Sequence, residues 1–161
     1  MVYDESKYRK GYSIGVGGVV LCGNKILLVR RALGNNIGDW AIPGGFVEHD
    51  ETIDAAVKRE VLEETGVRAE VEGLVGVRSR VTEIENSAYF IFLLRASDES
   101  AHADGFEVAG ARFFTLAEVK ALPRLQPLSR LVVTKALQGN TPLLTFHTHP
   151  HRSPDEYVIY A

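Results

Sequence analysis

Three glutamates set the first chemical problem in this chain. Residues 59–67 read REVLEETGV, and on an ideal helix turning about 100° per residue every side chain can be placed around the axis. With Ile53 at zero, Ala56 falls at about −60° and Val57 at about +40°, the ~3.6-residue period of a buried stripe. Glu60 then lands at about −20°, Glu64 at about +20° and Glu63 at about −80° on the same ~3.6-residue wheel. The acids therefore occupy the face that the first half of the helix commits to packing. Like charges on adjacent turns destabilise a helix slightly, and burying them costs far more unless something neutralises them. A solvated acidic face is the ordinary reading of such a pair, but these acids interrupt an apolar stripe instead of lying opposite it. A divalent cation is the natural counter-charge. Carboxylates on adjacent turns hold hard cations such as magnesium and leave positions for water and phosphate oxygens.

Two neighbouring features fit that reading. Gly44 and Gly45 let backbone come close to the helix, so a carbonyl can join the carboxylates at a metal; the plainer alternative is an ordinary Pro-Gly-Gly turn. Arg59 stands beside the acids and can hold one carboxylate by a bidentate pair, with Glu51 as its partner. An exposed ion pair of little energetic value is the competing account.

These residues need elements to carry them. IGVGGVVL, a Gly23-Asn24 turn and ILLVRR read as a β-hairpin. ALGNNIGD (32–39) is a polar loop, and WAIPGG carries a short strand into a turn at Pro43-Gly44-Gly45. A helix is expected over 52–65, with Thr52 as N-cap and Gly66 as the residue that stops it. Residues 67–82 read as one long or bent strand and 87–96 as another. A loop at 97–105 leads to a strand at ARFF and to two helices, LAEVKAL and PLSRLVVTKALQ. The order β, β, α, β, β, β, α, α predicts one α/β or α+β layered domain with a mixed sheet.

Composition narrows the partners. The chain has 161 residues, 45% hydrophobic and 24% charged, with a formal net charge of −3. That mildly acidic balance argues against general affinity for nucleic-acid polymers or anionic membranes and points to a small-molecule partner. Arg9 and Lys10 precede an apolar run, but Asp4 and Glu5 sit in the lead and no small-residue cleavage site follows, so a strand is expected there and not a signal peptide. The run is also too short to span a bilayer. The single Cys22 has no internal disulfide partner and cannot supply a cysteine-rich zinc site, which suits a cytoplasmic setting.

At this point a family resemblance enters. The segment GFVEHDETIDAAVKREVLEETGV places Gly45, Glu51, Arg59-Glu60-Val61, Glu63-Glu64 and Gly66-Val67 at the spacing of the Nudix box, and so resembles the signature of the Nudix hydrolases. The likeness extends from about residue 13 to about 119. With the helix at 127–138 added, the expected organisation is an N-terminal extension (1–12), a Nudix domain (13–139) and a C-terminal extension (140–161). The resemblance implies an α/β/α sandwich and hydrolysis of a nucleoside diphosphate linked to another moiety. It makes Glu60, Glu63 and Glu64 ligands of magnesium, with manganese as a substitute, leaves open whether Glu63 or Glu64 binds metal or receives a proton, and adds the Gly44 carbonyl. It gives Arg59 the task of orienting the carboxylates and leaves Gly45, Glu51 and Gly66 as structural members of the box.

Many members of the family place a general base on a later loop. The candidates are Glu83, Glu85, Asp98, Glu99 and Glu107, with Glu107 favoured because it just precedes the ARFF strand. WAIPGGFVE resembles the branch that cuts ADP-ribose. Arg30, Arg31 and Arg78 are candidates to meet phosphates, and Tyr12, Phe46 and Tyr89 to stack on a base. Two rivals stay open: clean-up of oxidised or non-standard nucleoside triphosphates, and a sensor that binds a nucleotide without cutting it. His147, His149 and His151 alternate in FHTHPHRSP, a pattern that can bind a transition metal, although a disordered or dimer-packing tail is the preferred reading. DEYVIYA can add a strand or an interface, and a homodimer is allowed only by analogy.

Overall fold

The structure is a computed structural model, which describes residues 11–34, 36–148 and the backbone of 158–160. In chain order the elements are β1 (Gly11–Cys22), β2 (Lys25–Arg31), β3 (Trp40–Ala41), β4 (Gly44–Phe46), α1 (Ile53–Thr65), β5 (Ala69–Val81), β6 (Glu85–Ala96), β7 (Val108–Thr115), α2 (Leu116–Ala121), α3 (Pro127–Leu137), β8 (Phe146–Thr148) and β9 (Val158–Tyr160). Seven strands form one mixed sheet: β1 runs parallel to β6 and antiparallel to β2 and β4, while β5 pairs antiparallel with β6. β8 and β9 make a separate antiparallel ribbon.

Strand alternation builds a core on each side of the sheet. Val16, Val20, Leu27 and Phe113 turn to one face and meet Ala56, Val57 and Val61 of α1. Val19, Leu21, Ile26, Leu28 and Phe114 turn to the other, where Val119 of α2 and Val133 of α3 cover them. Each such buried side chain contributes roughly 1.5–3 kcal/mol, which fixes the register and makes the fold the expected sandwich of helices about a mixed sheet.

One irregularity creates the site. β1 and β2 pair only at Leu21↔Ile26 and Cys22↔Lys25, beside the turn. Beyond that they part: β2 continues with β7 and, at Val29 and Arg30, with β3, whereas β1 takes β4 alongside Gly15, Val16 and Gly17. The Pro43-Gly44-Gly45 segment, expected to be a turn, is therefore mostly strand. Its glycines allow this, because Gly44 has φ 151° and a Cβ there would collide with the carbonyl of Val16.

Other differences from the sequence reading are local. Thr52 occupies the N-cap of α1 with extended backbone but makes no side-chain cap bond, while Gly66 closes the helix in the left-handed conformation with φ 69°. The long strand β5 carries register shifts between Val71 and Gly73 and between Leu74 and Gly76, so the bent reading holds. At its edge Leu74 exchanges two backbone hydrogen bonds of 2.9 Å with Leu144. The C-terminal strand expected from DEYVIYA is β9. His149 and His151 lie outside the described residues, and of His147 only the backbone is described. No helix among the described residues is long and apolar enough to cross a membrane.

Candidate functional site

Where β1 and β2 diverge, the sheet opens into a cavity of about 520 Å³. Residues from both layers line it. Glu60 and Glu64 of α1 and Gly44 and Gly45 of β4 form its middle. Leu33, Ala41, Ile42 and Leu128 form an apolar arm on its β3–α3 side, and Ser13, Arg78, Arg80, Glu85 and Ser87 form a polar arm on its β5–β6 side, towards opposite ends of the strand order β3-β2-β1-β6-β5. Arg31, Phe46, Tyr89 and Glu107 complete the walls.

Glu64 is the most unusual group. It is 5% exposed and accepts one hydrogen bond, 2.9 Å, from the Gly44 N–H. Burial pushes its carboxyl up to about 8, the nearby Glu60 and Glu107 charges add to that, and the Gly44 bond opposes it. Glu60 is raised as well, first by burial, with Arg59 pulling the other way. A Cβ on Gly45 would collide with the Glu60 carboxylate, so only glycine lets β4 pass beside it.

Arg59 organises the remaining acids. Its Nε and Nη2 grip Glu51 at 3.1 and 2.7 Å, Nη2 also donates to the Phe46 carbonyl at 3.0 Å, and Nη1 donates to Glu60 and to Glu63 at 3.0 Å each. The hydrogen bond from Arg59 holds the Glu51 carboxyl below its usual range, and those same acids raise the guanidinium. The planar fork thus ties the start of the box, β4 and α1 into one unit.

Tyr89 forms another wall. It faces Gly15 across the β1–β6 pair, and a Cβ on Gly15 or Gly17 would run into its ring, so the glycine backbone serves as a tray. Its hydroxyl reaches the position a Cβ on Gly44 would take. Arg78 lies opposite on β5 with its guanidinium 5.3 Å from the ring centroid. Burial pushes the phenol up, so it stays protonated.

The expected residues are thereby sorted. Arg31, Phe46, Arg78, Tyr89, Glu60, Glu64, Gly44, Gly45 and Glu107 line the cavity; Phe46 is largely exposed at its wall. Arg30 does not. It sits on the other side of β2, 6.0 Å over the Trp40 ring, in a shallow groove with Ile37 and Arg124. Tyr12 is exposed outside the cavity. Glu63 is also exposed and held by Arg59. Of the later acids, Glu107 and Glu85 reach the cavity, whereas Glu99 pairs with Lys25 and Asp98 accepts from the Ser100 N–H. Ser129 was not anticipated: it is buried and accepts from the Ile42 N–H at 3.0 Å, fixing the apolar arm to α3. Nothing in a serine one turn into a helix announces such a contact.

Among the described residues no group of three or more His, Cys, Asp or Glu is gathered closely enough to hold a metal ion. The donor set nevertheless suits a hard cation, since Glu64 is a buried acid with one backbone partner and Glu60 lines the same cavity beside it. Glu63 must leave Arg59 to join them.

The chain matches the family model of the NUDIX domain over residues 11–136. It is 33% identical over 144 residues to a MutT-like protein of Streptomyces ambofaciens, covering 89% of this chain and 88% of that protein. It is 45% identical over 78 residues to an ADP-ribose pyrophosphatase of Methanocaldococcus jannaschii, covering 47% of this chain and 46% of that protein. The crystal structure of a NUDIX hydrolase from Nitrosomonas europaea matches with a TM-score of 0.70 and 27% identity, covering 78% of this chain and 70% of that one. With an intact box and a cavity built around its acids, the chain belongs to the Nudix hydrolase family, enzymes that cut the pyrophosphate bond of nucleoside diphosphate-linked substrates.

Proposed function

We propose that this enzyme hydrolyses the pyrophosphate of a nucleoside diphosphate sugar, ADP-ribose or a close relative, with magnesium held by Glu60, Glu64 and a reoriented Glu63. The Gly44 carbonyl is a further ligand. The observation that carries this reading is the two-armed cavity, with the acids in the middle and a differently lined arm on either side. A pyrophosphate with a group on each side fits that plan. A nucleoside triphosphate would set its terminal phosphates against Glu85 in the polar arm, whereas the hydroxyls of a sugar suit Glu85, Ser13 and Ser87.

The residues divide the work. The apolar arm of Leu33, Ala41, Ile42 and Leu128 takes the nucleoside. Phe46 offers an exposed ring at the wall, and Arg31 meets the phosphates. When bound, magnesium neutralises phosphoryl oxygens and makes water a better nucleophile. Arg59 holds Glu60 in place and gives up Glu63 to that position. Glu107, an acid with no ion pair among the described residues, takes the proton as water attacks phosphorus in line with the leaving group.

Relatives carry names of both kinds, ADP-ribose in one and oxidised guanine nucleotides in others, so triphosphate clean-up is the reading to beat. Product analysis with magnesium and a panel of ADP-ribose, other nucleotide sugars, dinucleotides and normal or oxidised triphosphates decides. AMP plus ribose 5-phosphate supports the proposal. Nucleoside monophosphate plus pyrophosphate from triphosphates alone replaces it, and tight binding without product under any divalent metal makes the chain a sensor.

A further inference from the structure

The polar arm holds more positive charge than a neutral sugar needs. Arg78 and Arg80 are two residues apart on β5, so both turn to the cavity side of the sheet. They stand directly across from Tyr89 and Ser87 of β6. Neither guanidinium enters an ion pair among the described residues. Arg78 is further restrained by the Tyr89 ring and by a 3.3 Å bond from its Nη2 to Ser87 Oγ. Yet its Nε is buried with no hydrogen-bond partner. The part of this guanidinium that lines the cavity is therefore not the covered Nε but the remainder of the fork, which no acid among the described residues neutralises. Glu85, the acid of this arm, accepts a 3.1 Å bond from Ser13 Oγ and is not spent on either arginine.

Building on the nucleotide-sugar reading, we infer that this arm binds an anionic group on the sugar, so that the enzyme favours nucleoside diphosphates linked to an acidic sugar over neutral ones. Ser87 and Arg80 lie about 7 Å beyond Tyr89 and Arg78 along the strands, roughly the length of one sugar ring. A phosphoryl or carboxylate group at that distance meets the guanidinium groups of Arg78 and Arg80 where they line the cavity. Glu85 and Ser13 remain to accept from and donate to the ring hydroxyls. The preorganised Arg78 loses little freedom on binding, whereas the exposed Arg80 adds charge.

The test measures dissociation constants by calorimetry in EDTA, where nothing is cut and the pyrophosphate common to each pair cancels. One pair is ADP-ribose and ADP-ribose bearing a phosphate on its distal ribose; the other is UDP-glucose and UDP-glucuronate. The charged member of at least one pair is expected to bind about ten- to a hundred-fold more tightly. Arg80→Gln is expected to shrink that ratio several-fold and Arg80→Lys to keep part of it, with thermal midpoints near wild type because Arg80 is exposed. A gain confined to the first pair assigns a phosphoryl group, and one confined to the second a carboxylate. Charged members that bind no better than neutral ones, or show no binding at millimolar concentration, overturn the inference, as does a ratio that Arg80→Gln leaves unchanged. Cleavage of ADP-ribose alongside equal binding would sink this inference alone; a binding gain without cleavage of any panel member would sink the proposed reaction alone.

Discussion

A magnesium ion held by Glu64, as proposed, is expected to displace a proton. The carboxyl is almost fully buried and its one hydrogen bond comes from a backbone N–H, so burial lifts it from 4.5 to about 8. A group titrating there is about nine-tenths protonated at pH 7 and about one-tenth at pH 9. Since a cation binds the carboxylate and not the acid, magnesium binding should release about 0.9 proton at pH 7 and about 0.1 at pH 9. The apparent association constant should rise about tenfold per pH unit up to about pH 8 and then level off. Titration calorimetry in buffers of different ionisation enthalpy measures both quantities, and Glu64→Gln should abolish the proton release. Stability of the metal-free protein moves with the same group. The unfolded chain gives up this proton near its ordinary value and the folded chain only near 8, so the folded state binds more protons between them. The contribution of this group to stability is greatest below the ordinary value and is lost as pH rises through about 8, a total on the order of 5 kcal/mol. Magnesium that binds at pH 7 with no proton release, together with a metal-free thermal midpoint flat from pH 5 to about 8, would refute the assignment.

Three substitutions probe the rest of the site. Gly45→Ala sets a methyl group against the Glu60 carboxylate and should lower kcat/KM about ten- to a hundred-fold, the rate equivalent of ~1–3 kcal/mol of overpacking; unchanged kinetics would show that β4 has room to move. Ser129→Ala leaves the buried Ile42 N–H without its acceptor and should cost about 1–3 kcal/mol in urea unfolding, so an unaltered midpoint would remove Ser129 from the frame of the apolar arm. Glu107→Gln should cut kcat about a hundred-fold or more with magnesium affinity little changed. Full turnover in that variant would remove Glu107 from the path of the proton.

The residues of the box were legible because their chemistry is local. Helical periodicity alone puts Glu60 and Glu64 on the packing side of α1, and one helix with its flanking turn supplies Glu51, Arg59, Glu63 and Gly66. The glycine of the helix stop and the long β5 and β6 strands follow from equally short-range rules. What the chain could not disclose locally is which distant groups share the cavity. Arg30 and Arg31 are neighbours with identical side chains, yet at the register shift between them only Arg31 reaches the cavity that holds the acids, and that shift depends on the pairing of β2 with the distant β7. Glu63 lies near the acidic face of the wheel but is drawn off by Arg59, because nearby opposite charge outcompetes an apolar setting. The Gly44 N–H became Glu64's partner only when β4 paired with β1, and Ser129 reached Ile42 only when α3 packed beneath the sheet. Sequence determined the reactive helix and its family; tertiary structure decided its company, since long-range packing joins residues that no period along the chain connects.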